Sequence, residues 1–182
     1  SHVHTLSVST PLLALVMSRL LWSLPLETWG WIAMAGAVVY GVSAESLRRT
    51  CTGKTLPYTQ ALVSLLLLTI ALCHLLHGDA LFLALAAEAV VLHLVCHRLA
   101  DGGTAIGAHL LFAAVGLWLA ERLLVAPVAG MPILNAKALT HLTVIAAAPG
   151  ISVVLRSHTE QLAYRLAAHT ALLGWIVKEL SA

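Results

Sequence analysis

The chain has 182 residues, of which 60% are hydrophobic and 10% charged, with a formal net charge of +2. An ordinary soluble domain carries roughly 25% charged residues, so the core of a water-soluble fold would not absorb this excess of apolar side chains. The ten basic residues are scattered over the connectors, which excludes a nucleic-acid surface, and the absence of ten-residue polar/apolar alternation excludes an outer-membrane barrel.

The apolar residues come in blocks of about 16 to 20, rich in Leu, Ala and Val, which is the pattern of bilayer-crossing helices. The fold class read from them is all-α, a polytopic transmembrane helical bundle of about seven spans, with six to eight as the range. The predicted spans cover residues 9–24, 28–43, 61–76, 80–96, 106–124, 139–155 and 162–177. The opening "SHVHTLSVSTPLLALVMSRLLWSL" lacks the basic leader and small-residue cleavage site of a signal peptide, so it is read as a mature first helix with Arg19 inside it. A start at Ser1 is read as processing or as a piece of something longer.

In the second span, Ala33, Ala37 and Gly41 form a ridge of small residues at four-residue spacing, which permits close helix approach. Ala146 with Gly150 and Ala167 with Ala171 repeat the device in the sixth and seventh. Trp22, Trp29 and Trp31 around the first turn, with Trp118 and Trp175, fit an interfacial aromatic belt. Breakers follow in order: "TCTGKTLP", "HGD", "DGG" and "APVAGMP". Asp79 is a candidate N-cap for the fourth span, and Pro149 predicts a kink or a break in the sixth. Spans of about 16 residues cover about 24 Å, which predicts local thinning of the bilayer. Cys51, Cys73 and Cys96 have no pairing pattern and read as small apolar residues.

An internal repeat underlies the order. "AVVYGVSAESLRR" from Ala37 aligns with "AVVLHLVCHRLAD" from Ala89, and "LLLLTIALCHLL" from Leu65 with "AAVGLWLAERLL" from Ala113. The chain is therefore read as one membrane domain, 1–182, built of hairpin repeats 29–77, 80–124 and 136–180. The unit "ALAAEAVVLHLVCHRL" followed by "GAHLLFAAVGLWLAERLL" resembles the repeated hairpins of the bacterial multi-pass membrane proteins grouped as domain of unknown function 2339, over roughly residues 29–124. Those proteins are usually much longer, so the resemblance implies a fragment or a shortened relative, and it implies no catalytic residues.

A charge at the bilayer centre costs about 2.5 to 3.5 kcal/mol on insertion scales, so every buried polar group needs a partner. Glu88, half-way along the fourth span, is read as an interhelical polar clasp, with Arg19 or a histidine as partner, or as a proton relay. His93 and His97 share a helix face at i and i+4. Glu88 lies about 140° and 180° around the helix from them at about 100° per residue, so the zinc-hydrolase helix pattern fails and no metal site is assigned. Axial haem ligands require histidines on different helices. His74, His77, His109 and His141 fall near span ends, which leaves His93 and His169, with His97, as cofactor-binding candidates for a b-type haem.

With no complete catalytic constellation, the expected function is a non-enzymatic membrane module, a scaffold subunit of a larger membrane assembly, with no cofactor. The alternatives are a haem- or pigment-binding redox subunit and a proton-coupled transporter using Glu88. The expected partners are the lipid bilayer and other membrane subunits or the remainder of a longer chain, with no nucleic acid. Counting Lys and Arg on alternate sides gives six against three, which predicts a cytoplasmic N-terminus in a bacterial inner membrane.

Overall fold

Apolar segments in a medium without water must close their backbone hydrogen bonds internally, and the helix does this within one segment. In a computed structural model describing residues 2–50, 55–99, 102–125 and 135–180, the apolar blocks lie in α1 (His2–Leu21), α2 (Leu26–Thr50), α3 (Thr55–Leu75), α4 (Gly78–Leu99), α5 (Gly102–Val125), α6 (Ala136–Val154) and α7 (His158–Leu180). No strand occurs among the described residues. Cys51, Lys54, Asp101 and the breaker run 126–132 lie outside them.

The expected seven spans are corrected to four helices of sufficient length and apolarity among the described residues. Leu56–Leu75, Gly78–His97, Ala105–Val125 and Ala136–Val154 are long and apolar enough to cross a membrane. The apolar part of α1 is only Ser9–Leu21. Glu27, Glu45, Arg48 and Arg49 make α2 too polar, as do Glu160, Arg165, Lys178 and Glu179 in α7. The four spans run 19 to 21 residues, about 28 to 32 Å at about 1.5 Å per residue, so bilayer thinning is not required for them.

The chain divides into two compact units, Ser1–His77 and Gly78–Ala182. In the first, α2 and α3 form a tightly packed hairpin and α1 lies on α3. The ridge on α2 makes this possible. Ala33 and Ala37 are buried, Ala37 packs with Val63 and Leu67, and the Ser64 hydroxyl donates to the Ala37 carbonyl at 2.6 Å. Gly30 extends the ridge by one turn, and a β-carbon there would lie 2.7 Å from Leu75 Cγ.

The second unit is a four-helix bundle in which the hairpins α4–α5 and α6–α7 pack through α4 on α6 and α5 on α7. Its core gathers Phe82, Ala86, Val115, Leu119, Ala138, Val144, Ile145 and Trp175. Asn135 caps α6, its Oδ1 accepting from the Ala138 amide at 2.7 Å. The helix continues unbroken through Pro149. The other two small-residue ridges serve less. Ala146, Gly150 and Ala167 are exposed and Ala171 alone reaches the core margin. Trp29 and Trp175 are buried rather than interfacial, whereas Trp22 and Trp31 point outward.

Candidate functional site

α4 is covered on two flanks, by α5 and α6, which is how polar residues 140° apart on one helix can both be removed from solvent. Glu88 is 5% exposed and His93 3%. Along the flank that carries His93 the buried positions Ala86, Ala89, His93 and Cys96 recur every three or four residues. His93 donates through Nδ1 to the Ala89 carbonyl one turn back, at 2.7 Å. A carbonyl only accepts, so this bond fixes the tautomer and turns a lone pair on Nε2 into the bundle.

Two further helices meet that lone pair. His109, two turns into α5, and Tyr164, two turns into α7, converge on it together. The Tyr164 hydroxyl lies 2.9 Å from His93 Nε2 and 2.7 Å from His109 Nδ1, and the two ring nitrogens are 3.3 Å apart. Phe112, one turn beyond His109, stacks on Tyr164 with ring centroids 5.2 Å apart and closes the apolar side. On the opposite side Glu160, one turn before Tyr164, sets its carboxylate 3.9 Å from His109 Nε2. Phe112 covers one side of the cluster, and partly exposed His109 and half-exposed Glu160 open the other to solvent.

The sequence-derived candidates fare differently. His93 is at the centre of this cluster. His97 is exposed, and its carbonyl accepts from Arg156. His169 is exposed and bonds the Arg165 carbonyl of its own helix at 2.6 Å. The three therefore do not line one gap, as a haem between them requires. Arg19 is exposed on α1, and Glu88 is buried on α4. His109, set aside in the sequence as lying near a span end, and Tyr164, not singled out, are the residues that join His93. No protein-family model, curated protein or solved structure matches this chain. The site is thus interpreted from its own geometry.

The opposite end of the bundle carries a second polar group of a different kind. The Arg122 guanidinium pairs with Asp79 and lies over the rings of Phe82 and Trp118, 4.6 and 4.8 Å from their centroids. Lys178 donates to the Arg122 carbonyl, and Asn135 to Glu179 at 3.3 Å. Burial presses the Lys178 ammonium below its usual range, an effect Glu179 opposes and Lys137 adds to. This arrangement ties the starts of α4 and α6 to the ends of α5 and α7. It is a mechanical clasp.

Proposed function

We propose that this chain is a non-enzymatic integral membrane module, a structural subunit of a larger bacterial inner-membrane assembly or of a longer polytopic chain. One observation carries the reading: large apolar side chains stand exposed along the outside of the second unit while four ionisable side chains are buried within it. Leu110, Leu117 and Leu124, two turns apart on α5, are 67, 75 and 86% exposed, while Glu88, His93, His141 and Glu179 are buried. Burial of apolar area is favourable only against water, so a surface of this kind is stable where lipid or another apolar helix covers it.

The orientation is read from the sequence alone: Arg48, Arg49, Lys54, Arg98, Arg156 and Arg165 counted against Arg122, Lys137 and Lys178 favour the side of the first six as cytoplasmic. Whether α1 and α2 both cross or neither does, the N-terminus stays on that side. The scaffold reading expects the solubilised native protein to migrate in a complex far larger than its own 19.2 kDa. Substrate-dependent turnover of the purified protein, abolished by Glu88→Gln, would overturn it.

A proton-coupled carrier is the second reading, and the hydrogen-bonded series His109–Tyr164–His93, with the Glu160 carboxylate 3.9 Å from its outer end, favours it. It expects proton flux in proteoliposomes that Glu88→Gln or His93→Gln abolishes. Flux equal to that of empty vesicles removes it.

A further inference from the structure

Three polar atoms converge at the α4–α5–α7 junction with fewer protons than close approaches. His93 Nε2, His109 Nδ1 and Tyr164 Oη form a triangle with edges of 2.7, 2.9 and 3.3 Å. The Nδ1 proton of His93 is committed to the Ala89 carbonyl, so the phenol proton and one on His109 Nδ1 serve two of the edges, and the third, between the two ring nitrogens, carries none. A single cation lying over the triangle satisfies all three atoms at once. Donor atoms about 2.0 to 2.1 Å from a common metal ion stand about 3.3 Å apart in a tetrahedron and about 2.9 Å apart at right angles. The observed edges lie close to that range.

We propose that His93 Nε2, His109 Nδ1 and Tyr164 Oη form a binding site for a divalent first-row transition-metal ion. Two imidazoles and a phenolate are the donor set that ions of the zinc and copper class prefer over magnesium or calcium. Binding displaces the phenol proton to solvent and leaves neutral His109 protonated on Nε2. That proton then faces the Glu160 carboxylate, 3.9 Å away. Each ligating ring thus has its other nitrogen directed at an oxygen, a backbone carbonyl for His93 and a carboxylate for His109, the arrangement that orients and strengthens histidine ligands. Glu160 lies on the open side, where an ion enters. Three protein ligands leave further coordination positions for water or another ligand, and an ion held here joins three helices of the bundle.

The test is Co²⁺ titration of the full chain, purified in detergent and stripped with chelator, followed by displacement with Zn²⁺. The expected result is one Co²⁺ per chain with a visible d–d spectrum, released by Zn²⁺, and a Zn²⁺-dependent rise in melting temperature. Tyr164→Phe, which keeps the ring and its stack on Phe112, is expected to weaken binding at least tenfold. His109→Gln is expected to abolish the Zn²⁺-dependent rise while the metal-free protein stays helical. Absence of stoichiometric Co²⁺ binding by the wild type overturns the site, without recourse to any variant. So does an affinity that neither substitution changes, because the ion then sits on other histidines.

Discussion

His93 is a basic side chain almost completely withdrawn from solvent, and its burial is tolerable because both ring nitrogens have partners. Without added metal, Tyr164→Phe removes the hydroxyl that both imidazoles approach and is expected to destabilise the second unit by about 1 to 2 kcal/mol. A fall in the detergent melting midpoint checks this, and an unchanged midpoint contradicts it. In the first unit, Arg48 and Arg49 bond the Glu45 carboxylate at 2.7 to 2.8 Å and hold its pKa from 4.5 down to about 2. Because the folded value lies below the unfolded one, the pairing supports the helix fully above about pH 4.5 and is lost as pH falls toward 2. The group is fully exposed, so its effect is small and screened by salt. An NMR titration is expected to place the Glu45 midpoint well under 4.5, and Arg48→Gln with Arg49→Gln to return it close to the ordinary value. A wild-type midpoint already at that value would refute the pairing.

At the scale of the elements, the α2–α3 hairpin depends on close backbone approach. A β-carbon at Gly30 meets Leu75 Cγ at 2.7 Å and His74 Cβ at 3.0 Å, whereas one at Gly116 meets nothing within 4 Å. Gly30→Ala is therefore expected to cost about 1 to 3 kcal/mol by overpacking. Gly116→Ala on α5 is expected to leave stability unchanged or slightly raised, and equal effects at the two sites would contradict the packing. The helical class and the Ala33–Ala37–Gly41 ridge were legible because block length and four-residue spacing are local properties of the sequence. Ala146 and Gly150 have the same spacing yet face outward, since spacing does not say which flank of a helix has a neighbour. The span count was overstated for a related reason: apolar blocks were counted without weighing the charged turns that continue α2 and α7. His93 and His109 stand equidistant from Asp101, which in an antiparallel hairpin puts them level, so that half of the cluster was open to sequence reasoning. Tyr164 was not, because it arrives from a helix 71 residues beyond His93 and no short motif records it.

For the whole molecule, the account rests on the breadth of apolar side chains that the helices leave exposed. The charged clasp of Asp79, Arg122 and Lys178 and the cluster of His93, His109 and Tyr164 stand at opposite ends of one bundle, and the outward Leu110 and Leu117 of α5 lie between His109 and Arg122. Lipid around α3, α4, α5 and α6 explains both at once. Spin labels at Leu110 and Leu117 in the protein reconstituted into vesicles test this most directly, by comparing the accessibility of each label to oxygen and to a water-soluble nickel chelate. The account predicts high oxygen and low chelate access at both positions. Chelate access equal to that of a label at exposed Arg49, or a chain that stays monodisperse in water without detergent, would contradict it.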